Sequence, residues 1–193
     1  RQDDFAWEND VVAFRVYGPA LETFAKEPLT SSGVDAWSKR TRRLVQDEWY
    51  LVDDYHRDHG EGGDFYPAGR TRGCGGFGLV VDGTLAVSRN FRASRVLANG
   101  PIRVVFELAY PEWETPGLRA SETRRVTLDG GSHFNRFESV YRAEAGGPLA
   151  WAAGIRKPDG SVQNGPDRAA GLLARFGEDL RPAVRSFGGG LVE

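Results

Sequence analysis

Pro101-Ile102-Arg103-Val104-Val105-Phe106-Glu107-Leu108-Ala109-Tyr110 decides the fold class. Ile102, Val104, Phe106, Leu108 and Tyr110 fall on one side of an extended chain. Arg103, Val105, Glu107 and Ala109 fall on the other. Period 2 is the signature of a strand with one face in a core.

The same period recurs outward from this stretch. Val12, Phe14 and Val16 alternate with Ala13, Arg15 and Tyr17. Asp82-Gly83 separates two apolar runs, a strong hairpin signal. Residues 122–128 and 134–142 read as strands separated by Asp129-Gly130-Gly131-Ser132, and residues 91–97 and 149–156 add two more. Most elements are therefore strands, spaced as in an all-β, antiparallel sandwich or barrel. One short amphipathic helix is expected within residues 41–55, where Leu44, Glu48, Leu51, Val52 and Tyr55 approach helical spacing. Residues 168–175 fit helix and strand equally well, and the tail from Arg181 reads as weak structure.

The 193 residues suit one domain spanning the whole chain. With 40% apolar and 11% aromatic residues, disorder is not expected. A net charge of −2 favours neither nucleic acid nor a membrane surface as partner. One cysteine excludes an internal disulfide framework, and no apolar run approaches a membrane span. No signal peptide is visible, and the chain contains no Met, so it is read as a processed form or a piece of a longer protein.

Residues 55–78 carry the densest chemistry: Tyr55-His56-Arg57-Asp58-His59-Gly60-Glu61-Gly62-Gly63-Asp64, then Arg70-Thr71-Arg72-Gly73-Cys74-Gly75-Gly76-Phe77-Gly78. Such a mixture of Gly and ionisable groups is expected to form a structured polar loop rather than a helix or a buried strand. His56 or His59 can act as general acid or base. Their H-x-x-H spacing, with Asp58, Glu61 and Asp64 nearby, offers a divalent metal site as the alternative to no cofactor. Yet no established zinc signature is present. Tyr55 and Tyr66 flank the loop as sugar-stacking groups, proton donors or core residues. Cys74 reads as a small residue in a glycine turn rather than a nucleophile.

A second cluster lies on the strands. Arg136 and Glu138 share one sheet face, as do Arg103 and Glu107; His133 and Asn135 sit beside them. These groups form either a polar floor for a ligand or a solvated face of weak ion pairs. Trp113, in Pro111-Glu112-Trp113-Glu114, is expected in an exposed loop as a sugar platform.

Several of these stretches together resemble the DUF4861 family. They include Phe5-Ala6-Trp7-Glu8-Asn9-Asp10, Ala13-Phe14-Arg15-Val16-Tyr17-Gly18 and Ser32-Gly33-Val34-Asp35-Ala36-Trp37. The loop from Tyr55 to Asp64, Gly73-Cys74-Gly75-Gly76 and Leu97-Ala98-Asn99-Gly100-Pro101-Ile102-Arg103 continue the likeness. Ser121-Glu122-Thr123 and Asn135-Arg136-Phe137-Glu138-Ser139 complete it, over about residues 3–165. The resemblance implies a secreted or periplasmic bacterial protein, often encoded near genes for acidic-polysaccharide utilisation. It also implies a sandwich of the supersandwich, galactose-mutarotase-like type.

Three chemistries share this expectation. β-Elimination on a uronic-acid poly- or oligosaccharide needs a group that neutralises the carboxylate (Arg70, Arg72 or Arg136), a base (His56 or His59) and an acid (Tyr55). A glycoside hydrolase would use two carboxylates, Glu61 and Glu138. An epimerase or mutarotase would pair a His with a Glu. The remaining alternative is a noncatalytic sugar-binding sandwich. All of these place the histidine loop and the Arg136–Glu138 face in a single pocket.

Overall fold

The computed structural model describes residues 3–145 and 149–156. It contains eleven strands in three antiparallel sheets: β1 (Phe5–Glu8), β2 (Val12–Val16), β3 (Asp35–Lys39), β4 (Gly62–Gly63), β5 (Cys74–Val81), β6 (Thr84–Ala86), β7 (Ala93–Asn99), β8 (Arg103–Thr115), β9 (Leu118–Asp129), β10 (Asn135–Ala145) and β11 (Ala150–Ile155). The sheet orders are β1-β2-β3-β4, β10-β9-β8-β7 and β11-β5-β6. One short helix, α1 (Gln46–Val52), and a 3-10 turn (Pro19–Thr23) complete the described elements. The chain is an all-β antiparallel sandwich. Among the described residues no helix is long and apolar enough to cross a membrane.

The alternation of residues 101–110 sets the core. Phe106, Leu108 and Tyr110 of β8 and Val126 and Leu128 of β9 pack against Trp7, Phe14 and Val16 of the β1-β2-β3-β4 sheet. Farther along the same strands, Trp113, Leu118 and Ala120 pack against Leu79 and Ala86 of the β11-β5-β6 sheet. The two smaller sheets thus lie side by side over one face of the large sheet. They meet where Val34 bridges Gly73 and the Cys74 N–H donates to the Val34 carbonyl at 2.7 Å.

A buried ionic network sits between the two apolar clusters. The Arg124 guanidinium, fully buried, donates to Glu122 at 2.7 and 3.1 Å and to the Tyr110 hydroxyl at 3.1 Å. The Ser139 hydroxyl donates to Glu122 at 2.7 Å. Glu122 and Arg124 are two residues apart on β9, so both point inward, and each satisfies the other's buried charge.

Several expectations need correction. Within the expected loop, residues 74–78 are part of β5. Glycines fit that strand because neighbouring backbone presses on it: a Cβ at Gly76 would lie 2.6 Å from the Arg72 carbonyl oxygen, and one at Gly78 would lie 2.8 Å from that of Ala86. Trp113 is a buried strand residue, 8% exposed, because β8 continues through Pro111 with a bulge after Tyr110 and then resumes its alternation. The helix is shorter than residues 41–55. It ends where Asp53 adopts a left-handed φ of 53° and its N–H caps the Trp49 carbonyl. The readings of residues 168–175 and of the tail from Arg181 lie outside the described residues.

Candidate functional site

The histidine loop is held on the sheet by its glycines. Asp58 Oδ1 accepts the N–H groups of Gly60 and Gly62 at 2.8 and 3.2 Å, closing a tight turn. These bonds hold the Asp58 carboxyl below its ordinary pKa. Gly62 and Gly63 then pair with Lys39 and Ser38 of β3. Gly62 takes a φ of 111°, and a Cβ there would strike the Ser38 carbonyl. The chain leaves this pairing as Asp64, whose N–H donates to the Tyr55 carbonyl at 2.7 Å. The loop therefore lies across the outer face of β2 and β3, the face turned away from the sandwich core.

On that face Ala13, Trp37, Val45, Trp49 and Tyr55 form their own apolar cluster. Arg15 lies among them. Its Nε and Nη2 donate to Asp35 Oδ2 at 3.0 and 2.6 Å, and Nη2 also donates to Asp64 Oδ2 at 3.1 Å. Its Cζ sits 5.2, 5.1 and 5.6 Å from the ring centroids of Tyr17, Trp37 and Tyr55. Asp35 also accepts from Trp37 Nε1 at 3.0 Å and from the Ala36 N–H at 3.0 Å. Burial, chiefly, pushes the Asp64 carboxyl up to about 7; the adjacent Asp35 charge adds to this, and Arg15 and His56 oppose it. Asp35 is raised for the same first reason, against the pull of Arg15. Burial works against the charge on the Arg15 guanidinium, but Asp35, Tyr50, Tyr17 and Asp64 together outweigh it, so Arg15 is more firmly protonated than usual.

A cavity of about 430 Å³ opens over this cluster. Leu21, Phe24 and Leu29 line it together with Phe65, Tyr66, Pro67 and Ala68. Arg15, Tyr17, Asp35, Tyr55, His56 and Asp64 contribute the polar part of the lining, with Asp4 and Glu27. Phe65 is about half exposed. His56 faces solvent on one side, while its Nδ1 lies 3.1 Å from the Asp64 carbonyl oxygen and 3.7 Å from its carboxylate. The Tyr55 and His56 rings are 4.6 Å apart. Tyr66 donates its hydroxyl within a pair of carbonyl acceptors, Gly73 at 2.8 Å and Arg156 at 2.9 Å. It therefore braces the sheet junction from the cavity wall.

The other expected residues stand elsewhere. His59 pairs with Asp54 at 2.9 Å on the surface, whereas His56 turns toward Asp64. Among the described residues no three His, Cys, Asp or Glu side chains converge as a metal site. Glu61 pairs with Arg43. Arg70 is exposed, next to Gly69 of the cavity lining. Arg72 points into the sandwich, donating to the Ser32 hydroxyl at 2.9 Å, and burial beside Arg124 lowers its pKa to about 10. Phe137 of β10 packs toward the core, so Arg136 and Glu138 face outward and pair with each other at 3.0 Å. Arg103 pairs with Asp129, and Glu107 is gripped by Arg95 and Arg125. The expected single pocket is thus divided: His56 and Arg136 lie on opposite outer faces of the sandwich.

Three sequence-distant stretches, around Arg15, Asp35 and Asp64, converge on the cavity. Each lies in a motif that carries the family likeness.

The chain belongs to the DUF4861 family.

That family is described only as a domain of unknown function, and its pattern matches residues 1–183. A similar protein is "Uncharacterized protein P7" of Formosa agariphila, 41% identical over 147 residues. The aligned region covers 72% of this chain and 37% of that protein, so this DUF4861 chain spans well under half of its relative's length. No solved structure matches.

Proposed function

We propose that this DUF4861 chain is a carbohydrate-active protein that takes a uronic-acid residue of a poly- or oligosaccharide into the Arg15–Asp64 cavity and cleaves its linkage by β-elimination. The observation that carries the reading is the cavity's mixed lining: the apolar and aromatic side chains of Leu21, Phe24 and Phe65 share it with the polar side chains of Arg15, Asp35, Asp64 and His56. A sugar ring likewise combines apolar C–H faces with a hydroxylated edge.

In this reading His56 takes the proton at C5 of the uronate. With the Nδ1 hydrogen donated to the Asp64 carbonyl, the Nε2 lone pair is the base. The C5–H electrons form the C4–C5 double bond, the C4–O bond breaks, and Tyr55 protonates the departing oxygen. A hydrolase built on Glu61 and Glu138 is disfavoured, because neither lines the cavity and Glu138 lies on the other face. A secreted or periplasmic location accords with a polysaccharide substrate.

The test is incubation with a panel of uronate polysaccharides, following the ultraviolet absorbance of the unsaturated uronate. New absorbance that is lost in His56→Ala supports elimination. Binding without product would leave a noncatalytic sugar-binding sandwich. Neither binding nor product would end the carbohydrate reading.

A further inference from the structure

We propose that the Asp35–Arg15–Asp64 cluster is a proton-coupled receptor for the carboxylate of an acidic sugar, with Asp64 presenting its carboxyl hydrogen to the ligand. This rests on the sugar-cavity reading above and assigns how the charged group is received.

The argument begins with charge. Asp4, Glu27, Asp35 and Asp64 line the cavity, against the single guanidinium of Arg15 and the imidazole of His56. Arg15 already donates to both Asp35 and Asp64. A ligand carboxylate entering this space meets a surplus of negative charge, which low-dielectric surroundings amplify. It is accepted only if one carboxylate first becomes a hydrogen-bond donor, as a neutral carboxyl does.

Geometry selects Asp64 for that change. Asp35 accepts from Arg15 twice, from the Trp37 indole and from the Ala36 N–H, and every one of these bonds favours its anion. The Asp64 carboxyl accepts one such bond, from Arg15 Nη2 at 3.1 Å, with the His56 ring at 3.7 Å; its other close neighbour is the Asp35 carboxyl, a contact that needs a proton on one of the two. Both carboxylates touch the same nitrogen, and like charges so placed do not both ionise freely. The groups around Asp64 in the cavity are Arg15 from β2 and Tyr17 just after it, Asp35 from β3, Asp4 before β1, and Tyr55 and His56 from its own loop, with Glu27 elsewhere in the lining and Tyr50 of α1 beside Arg15. Of these, Arg15 supplies the permanent positive charge. Burial and Asp35 together raise the Asp64 carboxyl to about 7, so the required proton is held near neutrality. Binding then reads as one balanced step: a proton leaves a solvent or buffer acid and forms an O–H bond on the Asp64 carboxyl, which donates it in a hydrogen bond to the ligand carboxylate, and no bond of the sugar changes.

Calorimetry on the full chain tests this with methyl β-D-glucuronide, using buffers of different ionisation heat and methyl β-D-glucoside as the uncharged control. Proton uptake should approach one per glucuronide above neutral pH. Affinity should fall about tenfold per pH unit there. Asp64→Asn, checked for folding by circular dichroism, supplies a permanent donor and should bind glucuronide without uptake or pH slope. Glucuronide affinity independent of pH in the wild type, or an unchanged slope in Asp64→Asn, overturns the inference and leaves the sugar cavity standing. Glucoside binding without glucuronide binding does the same. Binding of neither sugar defeats the cavity reading and this inference with it. A carbon-13 titration of the Asp64 carboxyl in the free protein is independent of any ligand. A midpoint in the ordinary carboxylate range overturns the proposal, and one near 7 supports it.

Discussion

Replacing Arg15 with Met should destabilise the fold strongly, and more so as pH rises. Met keeps much of the aliphatic volume against Tyr17, Trp37 and Tyr55 but removes the charge. Three donated hydrogen bonds disappear, two to Asp35 and one to Asp64. Each charged bond is worth about 1.5–3 kcal/mol, partly offset because Arg15 no longer has to be desolvated. Removing one partner of a buried ion cluster costs roughly 3–5 kcal/mol overall, and that is the loss expected near pH 8. The sign of the pH dependence follows from proton binding. Asp64 is raised to about 7 in the fold and Asp35 is also raised. Stability contributed by such groups is full below their unfolded pKa and is lost as pH rises through the folded value. Without Arg15 both carboxyls rise further, so the variant loses more across about pH 5 to 8 than the wild type does. Urea denaturation followed by tryptophan fluorescence at both ends of that range measures the effect. A loss below about 1 kcal/mol at the alkaline end, or an equal loss at both, would refute the buried-cluster reasoning.

Other outcomes follow from placement. Trp113→Ala should cost roughly 3–5 kcal/mol in equilibrium unfolding, because Trp113 fills the cluster with Leu79, Ala86, Leu118 and Ala120. Gly73→Ala should greatly reduce soluble, cooperatively folding protein. A Cβ there meets the Val34 backbone at the junction of two sheets, and φ is 59°. Arg136→Ala should change neither melting temperature nor any activity toward uronate polysaccharides, since its one ion pair is solvent-exposed on the face opposite the cavity.

Strand periodicity made most of the large sheet readable. Phe106, Leu108 and Tyr110 point inward as their alternation predicts, and Asp82-Gly83 forms the expected hairpin turn with φ of 49° and 79°. β1 and β3 carry no clear strand period in the sequence, because both faces of the small sheet are covered and a simple in-out alternation is blurred. The site was half legible. His56, Tyr55 and Asp64 announced themselves by residue type within a glycine-rich loop. Arg15 and Asp35 did not, because nothing in local spacing tells a buried guanidinium on a strand from a solvated one. Their only signal was membership of the stretches resembling the family. Arg136 and Glu138 misled for the complementary reason: period 2 says that they share a face, but not which side of the sandwich that face occupies.

The measurement closest to the central claim compares wild type, His56→Ala and Arg136→Ala for release of unsaturated uronate from acidic polysaccharides. Loss of about a hundredfold or more in His56→Ala, with Arg136→Ala unchanged, is the outcome predicted by a cavity on the outer face of β2 and β3. Full activity in His56→Ala, or its disappearance in Arg136→Ala, would put the working surface on the other side of the sandwich.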